Sequence, residues 1–225
     1  MNCDASRTIS ERILEITTAM DSTRQDMKLT TIVVISAFLI LFLVVRAVEN
    51  KSVMVNEYSA VFYCAVLCIG MQWVAWIPAS IAKTERFYDL AGGITYLTVL
   101  GFSLWAGSQS EPPSLRELTV SLLVVIWSIR LSFFLYFRIH RTGKDGRFDQ
   151  LKTSPIRFLV PWTLQGLWVF LTMIGVIVIN SQAGPAPALG IWDGIGLSMW
   201  ILGFSIEAIA DRQKTVFNTE PTNQG

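Results

Sequence analysis

The sequence predicts an all-α, multi-spanning helical membrane protein with about six transmembrane helices. Three observations carry this. Hydrophobic residues make up 52% of the 225-residue chain and charged ones only 16%, where a soluble domain holds roughly a quarter charged residues. Six apolar stretches are each long enough to cross a hydrocarbon core of about 30 Å at about 1.5 Å per residue. The basic residues, finally, are sorted to one side of those stretches.

Residues 1–28 are polar, with Ile9, Ile13 and Ile16 at helical spacing. They contain no secretory-type apolar core, so they read as a cytoplasmic tail or an amphipathic helix on the membrane surface. Two N-terminal spans are expected near 29–48 and 58–82, and four more near 88–107, 115–137, 158–180 and 189–210. Pro161 lies early in the fifth and Asn180 ends it. The turn SQAGPAPALG leads into the sixth. Barrel strands do not compete, because their segments are about ten residues long and half polar.

With six spans, one face receives fourteen of the eighteen basic residues: Arg7, Arg12, Arg24, Lys28, Lys83, Arg86, Arg138, Arg141, Lys144, Arg147, Lys152, Arg157, Arg212 and Lys214. The other receives Arg46, Lys51 and Arg116, and Arg130 lies within a span. Basic loops stay in the cytoplasm. An integral inner-membrane protein with both termini cytoplasmic is the expectation.

Cysteine and histidine offer little chemistry. Cys64 and Cys68 share one face of an apolar run and read as small core filler. His140 is the single histidine, so neither a zinc site nor a Ser-His-Asp triad is expected.

The stretch WSIRLSFFLYFRIHRTGKDGRFD (127–149) is the most informative. Arg130 precedes Arg138 by eight residues, about 12 Å along a helix. An arginine at that depth costs several kcal/mol unless it meets protein, water or an anion. Arg130, Phe134, Arg138 and Arg141 fall in one sector of the helix, so two readings stand. One is an anion pocket for a phosphorylated cofactor; the other is cytoplasmic anchoring plus one intramembrane ion pair. No GxGxxG or P-loop pattern is present.

The last span ends SIEAIADRQKTVFN, where Glu207, Asp211 and Lys214 share a face. They form a second polar cluster, and Glu207 or Asp211 is also a natural partner for Arg130. A third patch, KTERFYDLAGGITYL at 83–97, places Asp89 where a helix N-cap is expected and two glycines where helices approach closely.

Together RFYDLAGGITYL, WSIRLSFFLYFRIHRTGKDGRFD, LQGLWVFL and IEAIADRQKTVF resemble a family of bacterial membrane proteins related to the C-terminal domain of steroid 5-alpha-reductases. The likeness covers residues 84–219, so 83–219 is expected to form a reductase-like helical domain. The resemblance implies reduction of a carbon–carbon double bond in an apolar steroid, isoprenoid or lipid-like substrate by NADPH. It implies cofactor contacts from Glu207, Asp211 and Lys214, and from Arg130, Arg138 and Arg141. A hydride would go to the β-carbon of an electron-poor alkene, with an acid polarising the carbonyl or protonating the α-carbon. Tyr88, Tyr96 and Tyr136 are candidates for that acid. The family normally continues with a pattern close to GLWxxSRHPNYFGE, whereas this chain stops at NTEPTNQG. It therefore reads as a shortened member, incomplete at its C-terminal end, in which weak cofactor binding or none is expected. The methyltransferase branch of the same superfamily implies S-adenosylmethionine instead, and a non-catalytic membrane scaffold is the third reading. The expected partners are the lipid bilayer and an apolar small molecule, with no nucleic acid and no metal.

Overall fold

The computed structural model describes residues 3–143 and 145–219. It consists almost entirely of helix, and six of its helices are long and apolar enough to cross a membrane.

Helix α1 spans Cys3–Val48 without a break. No glycine or proline falls within it, so nothing in the sequence separates the polar N-terminal stretch from the first span. The side chains of Ile9, Ile13 and Ile16 lie outside the described ones. A short hairpin follows, with β1 (Met54–Val55) antiparallel to β2 (Tyr58–Ser59) and Asn56 at φ 55° in the turn. Ser59 then caps α2 (Ala60–Ala82), accepting from the Phe62 N–H at 3.2 Å.

Helix α3 (Tyr88–Ser108) and helix α4 (Leu115–Thr142) form an antiparallel pair. Ser114 and Glu117 make a reciprocal capping box at the start of α4, satisfying two otherwise orphaned backbone donors. Helix α5 (Pro155–Asn180) starts three residues before the expected boundary. Ser154 caps it, and Pro155 occupies a first-turn position where a missing N–H costs nothing. Helix α6 covers Ile191–Thr219.

The core forms around α5, which packs against α1, α2 and α3. Phe158, Trp162, Phe170, Met173 and Ile177 are its fully buried large side chains. Cys64 and Cys68 are fully enclosed against this core. Close approach has a visible cause at Gly166, where a Cβ would stand 2.9 Å from the Cys68 carbonyl oxygen on α2. Polar bonds also join the helices: Gln72 Nε2 donates to Thr95 Oγ1 at 2.8 Å, and Trp73 Nε1 to Thr163 Oγ1 at 3.0 Å. Where the surroundings are as apolar as the core, small residues and such bonds drive association.

Six spans put both ends of the chain on one face, here the terminal face, with the α2–α3 turn and the α4–α5 link. The opposite hairpin face carries the hairpin, the α3–α4 turn and the α5–α6 link. There the Val53 N–H donates to the Ser181 carbonyl at 2.7 Å. Helix α6 stands at the edge, with no described residue buried. Two arginines of α4 hold it. Near the hairpin face, Arg116 bonds Asp193 through Nε (2.6 Å) and Nη2 (2.9 Å), and also reaches the Pro187 and Ala188 carbonyls.

Candidate functional site

The second arginine is Arg130, at the middle of α4. Its Nη1 donates to Asp211 at 2.9 Å and its Nη2 to Glu207, while its guanidinium lies 5.1 Å from the Phe204 ring centre. Trp127 Nε1 donates to the other Glu207 oxygen at 2.9 Å. Glu207 and Asp211 are one helical turn apart, so both carboxylates reach one guanidinium. The intramembrane ion pair foreseen as the plainer reading is thus present, with two acids instead of one.

Arg138 does not join this group. Eight residues beyond Arg130 it is turned by about 80°, enough to face α3 instead of α6. It stands 3.8 Å from Asp89. Arg141 and Lys214 are exposed towards the terminal face. The six expected cofactor residues therefore separate into the Arg130–Glu207–Asp211 triad, Arg138 beside Asp89, and two outlying cations.

Asp89 requires a correction. It is not the N-cap of α3, because the helix already starts at Tyr88, with Phe87 at the cap position and no side-chain cap. The Ala91 N–H finds the Phe87 carbonyl at 2.9 Å instead. Asp89 sits in the first turn, where a carboxylate complements the helix dipole, and turns inward.

It turns into a chamber of about 570 Å³. Helix α3 supplies Tyr88, Asp89, Gly92, Gly93 and Tyr96. Helix α4 supplies Trp127, Ser128, Leu131, Ser132 and Leu135, and α5 supplies Leu164, Gln165, Trp168 and Val169. Of the six expected cofactor residues, Glu207 alone lines it. From Tyr88 to Tyr96 the chamber extends about 12 Å inward from the terminal face. Gly92 makes room for Gln165, whose side chain a Cβ there would overlap. On the far side of the Gly93–Ser132 contact lies an apolar groove of about 410 Å³ with Leu90, Ile94, Phe133 and Tyr136 on its walls. Tyr136 belongs to that groove, while Tyr88 and Tyr96 face the chamber.

The chamber is rich in acceptors. Tyr88 donates to the Pro161 carbonyl at 2.9 Å, Gln165 Nε2 to the Tyr88 carbonyl at 3.3 Å, and Ser128 to the Val125 carbonyl at 3.3 Å. Thr172 uses its one proton on backbone carbonyls of its own helix, so Tyr96 must be the donor in their 2.8 Å contact. Trp127 is committed to Glu207. Left facing the space are the Asp89 and Glu207 carboxylates and the Ser132 hydroxyl, while Gln165, whose Oε1 is buried without a hydrogen-bond partner, forms part of the wall. No Lys or Arg lines the chamber among the described residues.

Its cations form a collar at the terminal face, tied down by a residue the sequence reading passed over. Glu85 is buried in the α2–α3 turn, accepting from the Asp145 N–H and from Lys152 Nζ, each at 3.0 Å. Burial alone would raise its pKa, but these two donors outweigh burial and hold it below the usual value. Arg147 forks onto Asp145 and lowers that carboxyl's pKa in turn. Glu85 thereby fixes the α4–α5 link across the chamber's outer end. No local signal marks it, since its partners are 60 and 67 residues away.

Fold and site together define a six-helix membrane protein whose last four helices surround a chamber reaching from one membrane face to the middle of the bundle. The chain belongs to the family described as "Protein of unknown function (DUF1295)", whose model matches residues 75–225. That match covers α3 to α6 and the end of α2, the helices that build the chamber. No curated protein and no solved structure matches the chain.

Proposed function

We propose that the protein is a reductase of the membrane, using NADPH to saturate a carbon–carbon double bond in an apolar substrate. The observation that carries this is the division of the site into an acceptor-lined chamber and an outer collar of cations. A reduced dinucleotide has the same division: a neutral end bearing carboxamide and ribose donors, and phosphates that require fixed positive charge. In this reading Asp89 accepts from the neutral end, while Arg138 and Arg141 meet phosphate, with Lys214 further out on the same face. Glu207 and Asp211, held by Arg130, keep α6 against the site. The cofactor, when bound, supplies a hydride, and the chain supplies the matching proton. Tyr96 is the better placed acid. Its present acceptor is a hydroxyl, a weaker partner than the carbonyl that holds Tyr88. The resemblance to steroid 5-alpha-reductases supports the same chemistry.

One observation favours a second reading, methyl transfer from S-adenosylmethionine. Carboxylates and the faces of Tyr88, Tyr96, Trp127 and Trp168 suit a sulfonium cation as well as a neutral ring. Titration of both cofactors into the purified chain, by calorimetry and by NADPH fluorescence, separates the readings. Weak NADPH binding that Arg138→Gln weakens further is the expected result. Binding of S-adenosylmethionine alone would overturn the reductase assignment, and binding of neither would leave a scaffold.

A further inference from the structure

We infer that the chamber has a second opening, at mid-membrane, through which it takes the donor-bearing head of a single-chain molecule dissolved in the bilayer. This goes beyond the reductase reading and holds whichever cofactor occupies the outer end.

The opening follows from exposure. Leu164 and Trp168 are wall residues of the chamber near the middle of α5, yet they are 47% and 64% exposed. Residues of that kind at that depth face hydrocarbon, not water. Helix α6 does not close over them, since none of its described residues is buried. Nor is it free to swing. Arg116 clamps it at one end and Arg130 at the middle, and breaking ion pairs in a low-dielectric setting is costly. The opening is therefore a fixed window between α4 and α5, with Glu207 on its rim.

The chamber's chemistry selects what passes. At about 30 Å³ per water-sized group, 570 Å³ accommodates about nineteen such groups, enough for the whole of a single-chain alcohol of that many heavy atoms. A two-chain phospholipid of about fifty heavy atoms needs about 1,500 Å³ on the same scale. A head that only accepts hydrogen bonds could use the Ser132 and Tyr96 hydroxyls but would leave Gln165 Oε1 and two carboxylates without a donor. A head that donates, such as a hydroxyl, satisfies the orphaned Gln165 oxygen, which otherwise carries an unmet desolvation penalty.

The test uses the whole chain in phosphatidylcholine nanodiscs with hexadecanol bearing a diazirine beside its hydroxyl. After photolysis, labelled residues are mapped by mass spectrometry. Labelling of Leu135, Leu164 and Trp168 should exceed that of lipid-facing Phe42 and Trp105 by about tenfold. Excess unlabelled hexadecanol should displace it, and hexadecyl methyl ether should not. Gln165→Leu should abolish that preference for the alcohol while leaving chain labelling in place. Labelling no stronger than at Phe42 and Trp105 would remove the window. Equal displacement by the ether, or by phosphatidylcholine at higher ratio, would remove the donor head or the single chain. Cofactor titrations are unaffected by these outcomes, so the two proposals fail separately.

Discussion

Arg130 shows how far one residue's chemistry can be followed from sequence. A guanidinium in the middle of an apolar run demands partners, and a pair of carboxylates one turn apart in a later run answers that demand. What the sequence could not say is that Arg138 would turn to α3 and leave the group. The consequence is testable. Arg130→Leu leaves Glu207 and Asp211 uncompensated where hydrocarbon, not water, surrounds them, and should lower stability by about 3–5 kcal/mol, as removing one partner of a water-shielded ion pair does. Folded yield in detergent should fall, whereas Arg141→Gln should fold normally. If Arg130→Leu melts like the parent chain, the triad is not what holds α6. Glu85 gives a pH signature. Its folded-state pKa lies below the unfolded value, so its tie to Asp145 and Lys152 is fully present above about pH 4.3. It is lost as the pH falls through the lower folded value. Glu85→Gln should cost about 1.5–3 kcal/mol near neutrality and flatten the decline in melting temperature below about pH 4.3. An unchanged acid profile would show that other carboxylates govern it.

At the scale of elements, the apolar runs were legible because length and composition alone decide whether a helix can span a bilayer. Four of the six expected spans match the observed helices to within about five residues at both ends. The exceptions have local causes. Helix α1 begins far ahead of its apolar part because nothing breaks it, and α6 runs on past residue 210 to Thr219. The glycines were legible as places of close approach but not as to partner. Gly166 is the clearest case, lying against the backbone of α2. Gly166→Val should force α2 and α5 apart at an overpacking cost of about 1–3 kcal/mol, read as a lower thermal midpoint in detergent. Gly175→Ala, with nothing within 4 Å of the added methyl, should be neutral. Equal effects from the two would mean that the α2–α5 contact is looser than the geometry implies.

For the molecule as a whole, the sorting of basic residues and the chamber's position point the same way. The terminal face carries the collar of Arg138, Arg147 and Lys152, and a cytoplasmic cofactor would approach from there. Reporter fusions after residue 219 and after residue 28 should both read cytoplasmic, and one within 109–114 should read the opposite side. A periplasmic reading at either terminus would reverse the orientation and with it the cofactor argument. The chamber itself is not legible in the sequence, because it arises from four helices meeting in space; Tyr88, Asp89, Gly92, Gly93, Tyr96 and Glu207 stand out there singly, with nothing to show that they share one cavity.

The tethering of α6 by arginines of α4 also sets a schedule. Ribosomes add about 5–20 residues per second, and Glu207 follows Arg130 by 77 positions. Each new copy therefore holds an unanswered positive charge in the middle of the membrane for about 4–15 s before its acids are made. Helices α1, α2, α3 and α5 can settle around their shared core in that time, but α4 cannot settle fully. Arrest of translation between residues 180 and 205 should leave α4 displaced towards the interface, with Arg130 still accessible from water, and release should withdraw it.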